Sequence, residues 1–350
     1  MTPRDNRLRA ARFQRPDHIP VSLGLGPIAW AEYPGDALRE LMAAHPLLYP
    51  GFDPAAPAAP PEPAPWRRAA APYTDSWGCV WETNRDGLTG AVTRPALASW
   101  EDMASWVPPS PEEHNGWVPV DWTAIAASLE RAGKRGELRA GGLRHGHTFL
   151  TLTYLRGYQN LILDMADDEP RLWRLLEIVE AFNAGLVARY LDLGVEWMGY
   201  PEDLGMQEGP MLSPAHMARF IAPAYRRLMA PARAAGCVIH MHSDGDVRAL
   251  ADQLLAAGVE VLNIQDLVNG LDWMAAELKD RVCIDLDLDR QSLTRFGTPA
   301  DIDAHVCRCV AQLGSREGGL MLTYGLHPGV PLENLAALMD AMERYAGYWS

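Results

Sequence analysis

From about residue 136 onward, short apolar runs alternate with amphipathic stretches of helical length, and no other feature limits the fold as tightly. A strand followed by a crossover helix returns to a parallel neighbour, so the chain is an α/β protein, either a (β/α)8 TIM barrel or a doubly wound sheet. The predicted strands are Glu137–Gly141, Val195–Tyr200, Cys237–Met241, Val259–Ile264, Val282–Leu286 and Leu320–Thr323, with Ile19–Leu23 as the first. That makes seven, one short of a closed barrel. Ser213-Pro214 and Thr298-Pro299 each supply an N-cap followed by proline at the first helical position, and Gly236 and Gly314 close the corresponding segments.

The part before residue 136 is irregular. Residues 46 to 73 are rich in proline and alanine, and a second cluster falls at Pro108, Pro109 and Pro111, as in loops laid over a core. Between them, Trp77–Glu82 and Gly90–Thr93 flank Asn84-Arg85-Asp86-Gly87, a β-hairpin pattern suited to capping one end of a barrel. With 350 residues and no flexible linker, the reading is one domain over 1–350, with a strand, loops and hairpin cap in 1–135 and regular βα units in 136–350. The irregular loops are expected to set specificity.

Composition excludes several classes. No run approaches the roughly 18 apolar residues of a membrane span, and the N-terminus has no apolar stretch behind its first charges, so a soluble, cytoplasmic protein is expected. Five scattered cysteines suit reduced thiols rather than a disulfide framework. The formal net charge of −14 argues against a nucleic-acid partner, while leaving room for a local basic pocket. No GxGxxG, P-loop or GxSxG pattern is present.

The most informative segment for chemistry is Cys237-Val238-Ile239-His240-Met241-His242-Ser243-Asp244-Gly245-Asp246. It begins as a buried strand and ends polar. Strand alternation places His240, His242 and Asp244 on one face, which in a barrel leads to the mouth where catalytic groups gather. Imidazole and carboxylate there suit metal binding or proton exchange; the plainer alternative is a packed histidine and a helix-capping Asp244. Glu202 and Asp203, Asp285 and Asp287, and Tyr324 with His327 stand at other strand ends, and a barrel would bring them together. His145 and His147 follow the Glu137–Gly141 strand and are assigned to substrate contact. Trp77 and Trp81 would form an aromatic wall for a flat ligand, or pack the hairpin on the barrel. His305, Cys307 and Cys309 are two apart on a predicted helix and are read as packing residues.

Several segments together resemble the uroporphyrinogen decarboxylase superfamily, which includes cobalamin-dependent methyltransferases. They are Asn6–Phe13 with Arg15–Val21, Thr74–Gly78, Leu155–Leu161, Glu202–Gln207, Leu212–Pro214, His242–Gly245 and Pro328–Asn334. The resemblance implies the (β/α)8 barrel. The arginine-rich segment that grips substrate carboxylates in true uroporphyrinogen decarboxylases has no counterpart here, so porphyrinogen decarboxylation is disfavoured. Zinc in the methyltransferase branch is held by a His-x-Cys motif and a later cysteine; alignment with it puts Asp244 and Tyr324 where the two cysteines stand.

The expectation is therefore a methyltransferase-like enzyme acting on a small molecule. His242, Asp244, Asp285 and Tyr324 are its catalytic residues, and Trp77, His145, His147, Glu202, Asp203, Gln207 and His327 bind substrate. His240, His242, Asp244 and Glu202 are the candidate ligands of zinc or another divalent metal. By resemblance alone, a corrinoid or a corrinoid protein is a partner, and the oligomeric state stays open, a homodimer included. The alternatives are a metal-independent lyase, such as a decarboxylase, and a non-catalytic corrinoid- or tetrapyrrole-binding protein.

Overall fold

A computed structural model describes residues 1–57 and 60–350. Seven parallel strands form one curled sheet: β1 (Val21–Gly24), β2 (Ala140–Gly142), β3 (Trp197–Gly199), β4 (Val238–Asp244), β5 (Val261–Gln265), β6 (Cys283–Asp287) and β7 (Leu320–Gly325). Their order is β1-β7-β6-β5-β4-β3-β2. Each predicted strand is present, with ends shifted by up to three residues. Among the described residues β1 and β2 do not pair, so the hydrogen-bonded wall is a half-barrel of (β/α)8 type. A two-residue strand, Glu202–Asp203, pairs with the end of β4 and extends the wall at the mouth.

The strand sequences explain their two-sided burial. In β5, Leu262 and Ile264 face the helical layer and are fully buried, while Asn263 and Gln265 alternate to the inside. The outer layer is headed by helices Pro170–Asp192, Pro214–Ala234 (with a π turn at Met217–Ile221), Pro299–Leu313 and Leu332–Ala346. Thr298 and Asp301 form a reciprocal capping box at the third of these.

The bottom of the barrel is plugged by the N-terminal helix Pro3–Ala11. Its Leu8, Ala10 and Ala11 pack against Trp197, Val238, Val261, Cys283 and Met321, all from the starts of strands. The Ala10 carbonyl accepts the Gly319 N–H at 2.9 Å. Gly319 has φ +83, and a Cβ there would lie 2.1 Å from the Phe13 ring, so only glycine fits.

The predicted hairpin forms, with Val80–Glu82 antiparallel to Ala91–Arg94, and Tyr73–Thr74 adds a third strand. Asp75 organises it from within, accepting the Trp77 and Cys79 N–H groups at 3.0 and 2.9 Å and the Trp81 indole N–H at 3.0 Å. The five cysteines form no disulfide. Among the described residues no helix is long and apolar enough to cross a membrane.

Candidate functional site

Barrel interiors are normally filled by bulky aliphatic side chains. Here the inner face is polar from the plug up to the mouth: His240, His242 and Asp244 from β4, Asn263 and Gln265 from β5, Asp285 and Asp287 from β6, and Thr323 from β7. Groups this buried need partners, and their pairing divides them into three tiers.

The lowest tier sits just above the plug. His240 Nε2 meets Asp285 Oδ2 at 3.0 Å, Arg7 stands 3.9 Å from the same oxygen, and the His240 ring lies 5.4 Å from that of Trp197. Burial alone would lift the Asp285 carboxyl, yet His240 and Arg7 hold it below the usual carboxylate range. The structure thus does not bring His240 and Asp285 to the mouth.

In the middle tier His242 is fixed by its neighbour. Its Nδ1 lies 2.5 Å from Asn263 Oδ1, and the Asn263 amide donates to the Asp285 carbonyl at 2.6 Å. The amide is therefore oriented with its oxygen toward the ring, so Nδ1 carries the hydrogen and Nε2 points at the mouth. There Nε2 lies 3.5 Å from Asp203 Oδ1 and 3.5 Å from Asp244 Oδ1. His145 Nε2 approaches the same oxygen of Asp203 at 3.2 Å. Ligand atoms of His145, Asp203 and His242 all lie within 4.8 Å of one another. Burial disfavours the His242 imidazolium, but Asp203, Asp244 and Asn263 outweigh it and raise the pKa to about 9. Burial likewise opposes Asp203 ionisation, and the two imidazoles reverse this, taking its carboxyl well below the usual range.

The third tier is an arginine bridge. Arg290, in the loop after β6, grips both Asp244 oxygens at 2.9 Å and Asp287 Oδ2 at 2.7 Å. Burial still lifts the Asp287 carboxyl to about 7 against the pull of Arg290, with Asp244 adding to the rise. The loop beyond Asp244 depends on close glycine packing. Gly245 has φ +79, and a Cβ there would fall 2.2 Å from the Gly205 carbonyl carbon.

Above these groups opens a cavity of about 1050 Å³, reaching from the end of β1 to the loop after β2. One wall is aromatic, made by Trp66, Trp81, Trp117 and Tyr154. Trp66 stacks on Trp117 at 5.0 Å, and Trp81 lies 4.6 Å from both Trp117 and Tyr154. His145, Asp203, Asp244, Arg290 and the exposed His327 also line the cavity.

Several expected site residues are elsewhere. Tyr324 belongs to β7 itself, so its ring alternates away from Thr323 into the helical layer; the hydroxyl donates to Thr294 at 2.9 Å, and burial lifts its pKa to about 12. Glu202 is fully buried and accepts the N–H groups of Thr148, Phe149 and Leu150, so it caps helix Phe149–Arg156 and leaves the mouth to its neighbour Asp203. Burial raises its carboxyl to about 7. His147 is buried beside Thr148 and driven neutral, its pKa pushed down to about 3. Trp77 is 1% exposed and packs on Phe182 and Trp106, so it forms core and not a wall. Gln207 is exposed at a hairpin tip between Gly205–Met206 and Gly209–Pro210. Of the expected metal set only His242 stands in the three-donor cluster. Asp244 is engaged by Arg290, and the other donors are Asp203 and His145, which had been assigned to substrate.

The family model for uroporphyrinogen decarboxylase matches residues 77–345. The chain belongs to the uroporphyrinogen decarboxylase family. A solved methyltransferase from Methanosarcina mazei is 15% identical and superposes with a TM-score of 0.63, covering 99% of each chain. A sugar phosphate isomerase/epimerase from Parabacteroides distasonis is 13% identical with a TM-score of 0.37, over 63% of this chain and 77% of that one. No curated protein matches the sequence. As a member of the uroporphyrinogen decarboxylase family, the chain keeps the strand-end chemistry of a barrel mouth but builds it from imidazole, carboxylate and guanidinium, with no cysteine among the cavity residues.

Proposed function

We propose that this protein is a methyl-transferring enzyme that binds a small substrate in the aromatic-walled mouth and holds a divalent metal through His145, Asp203 and His242. The observation that carries this reading is the convergence of those three donor atoms beside the cavity. The donor chemistry fits zinc, which accepts imidazole nitrogen and carboxylate oxygen and in catalytic sites takes three protein ligands with one position open. Asn263 acts as the outer partner that orients His242 and fixes its tautomer. When bound, such an ion supplies Lewis acidity that makes a thiol or hydroxyl acceptor easier to deprotonate.

The chain's own residues position and exclude. Arg290 holds Asp244 and Asp287 in place at the edge of the cavity. The aromatic wall, with Trp66 stacked on Trp117 and Trp81 and Tyr154 set at an angle to them, offers apolar area for a large donor such as a methylated corrinoid, free or carried by a partner protein. The fold likeness to a methyltransferase over the whole chain supports methyl transfer, while the family match leaves decarboxylation as the competing chemistry.

The test is thiol-dependent demethylation of methylcobalamin, followed by its absorbance, with chelator-stripped and zinc-loaded protein and a panel of small thiols. Zinc-dependent turnover, lost in His242→Ala, is expected. Zinc-loaded protein that leaves methylcobalamin intact with every thiol contradicts the reading.

The His242 shift favours a second reading as a metal-independent lyase. With no metal bound, an imidazolium stable to about 9 beside Asp203, and an Asp287 carboxyl that stays protonated to about 7, are proton donors for a carbanion left by decarboxylation. Carbon dioxide release from small carboxylates by metal-free protein would select this reading.

A further inference from the structure

We propose a second metal site, on the helical face of the barrel, with His305, Cys309 and Asp266 as ligands and zinc as occupant. His305 and Cys309 are one turn apart on helix Pro299–Leu313, so an i,i+4 pair shares a face even though the intervening Cys307 does not. Asp266 follows β5 directly and meets them from the sheet side.

The three donors aim at one point. Asp266 Oδ2 lies 2.7 Å and Cys309 Sγ 3.4 Å from the same His305 nitrogen, Nε2, and all three ligand atoms lie within 4.8 Å of one another. Both partners thus converge on one ring nitrogen. Asp266 is 2% exposed, and its second oxygen, Oδ1, has no hydrogen-bond partner among the described residues. A buried carboxylate oxygen left in this way is costly, and a cation at the cluster removes the cost.

Zinc ligated at its usual bond lengths separates its ligand atoms by roughly 3.3 to 3.6 Å. The sulfur–nitrogen spacing already has that value, and the nitrogen–oxygen spacing needs to open by roughly 0.6 Å. Thiolate and carboxylate together balance the charge of a divalent ion, and sulfur with imidazole selects zinc over magnesium or calcium. A cavity of about 300 Å³ beside the cluster, lined by Asp266, Asp289, His305 and Arg308 among others, gives the ion a way in and a fourth ligand position for water. The bound ion ties the end of β5 to helix Pro299–Leu313, a structural clamp apart from the mouth.

Cobalt(II) titration of chelator-stripped full-length protein separates the two sites, because only this one has sulfur. The expected result is a near-ultraviolet sulfur-to-cobalt charge-transfer band that, in the His242→Ala background, saturates at one equivalent. It should vanish in Cys309→Ser and His305→Gln and persist in Cys307→Ser and His242→Ala. Zinc should raise the Tm of His242→Ala, in which the mouth site is removed, but not of the His242→Ala/Cys309→Ser double variant. No band in folded wild-type protein, or a band that survives in Cys309→Ser, overturns the site. Should Cys309→Ser misfold, His305→Gln at the partly exposed position decides in its place. Failure of methyl transfer at the mouth leaves these outcomes untouched.

Discussion

Replacing Asp203 with Asn tests the electrostatics of the mouth directly. The amide keeps an oxygen for the Asp244 N–H, now 3.1 Å from Asp203 Oδ1, but removes the charge facing His242 and His145. In metal-free wild-type protein the His242 pKa is raised from 6.5 to about 9 in the folded state. A group raised on folding adds stability that is fully present below its unfolded pKa and is lost as pH climbs through its folded pKa. His242 therefore contributes below 6.5 and ceases to contribute above 9. At about 1.4 kcal/mol per unit, the shift is worth about 3 kcal/mol. Asp203 itself titrates well below this window and adds no slope within it. With Asp203 neutral, burial works against the imidazolium and only Asp244 and Asn263 resist it, so most of the pH dependence should disappear. Urea unfolding of chelator-treated protein, followed by far-ultraviolet circular dichroism below 6.5 and above 9, should show the gap between wild type and Asp203→Asn narrowing by about 2 kcal/mol. A gap of constant size across the window refutes the assignment of Asp203 as the group that holds the His242 proton.

Other perturbations separate the mouth from its supports. Tyr324→Phe should leave activity near wild type and cost about 1 kcal/mol in urea unfolding, the worth of the bond to Thr294; a large loss of turnover at unchanged stability would return Tyr324 to the site. Arg290→Ala leaves Asp287 without its charge partner and Asp244 with His242 alone, and should destabilise by on the order of 2 kcal/mol near neutral pH, with the loss shrinking on acidification as Asp287, already lifted to about 7, takes up a proton. Gly245→Ala should lower Tm and weaken metal binding together, because its Cβ would meet the Gly205 backbone at 2.2 Å and spread the strand ends that carry Asp203 and Asp244. Glu202→Ala should destabilise the protein by about 2 kcal/mol through loss of the helix cap, without removing metal, as elemental analysis of the folded variant would show.

All seven sheet strands were legible in the sequence because each is a short apolar run between turn residues, and the Asp86-Gly87 hairpin and the Thr298 cap were legible from turn and cap chemistry. Side-chain direction was harder to read. β7 runs two residues past its apolar stretch, so Tyr324 keeps the pleat and turns outward, whereas the end of the apolar run had suggested a free strand tip. Glu202 and Asp203 are adjacent on one strand and must face opposite ways, which assigns only Asp203 to the mouth. His240 lies on the expected face of β4 but one tier too low, since shear sets the height of a residue and the sequence of one strand does not carry it. Arg290 sits on a loop with no periodicity, and its only signal is the dense polar run Asp287-Leu288-Asp289-Arg290 after an apolar strand. His305 and Cys309 are four residues apart on one helix face, and their approach to Asp266 comes from the end of another strand, which no spacing within the helix indicates.

The central claim is that His145, Asp203 and His242 bind a divalent metal at the barrel mouth. Its most direct test is zinc per chain, by elemental analysis after reconstitution, in a Cys309→Ser background that silences the second site. One equivalent that is lost in both His242→Ala and Asp203→Ala and retained in Tyr324→Phe is the predicted result. Zinc absent from the Cys309→Ser protein itself, or undiminished when His242 and Asp203 are removed, would contradict it.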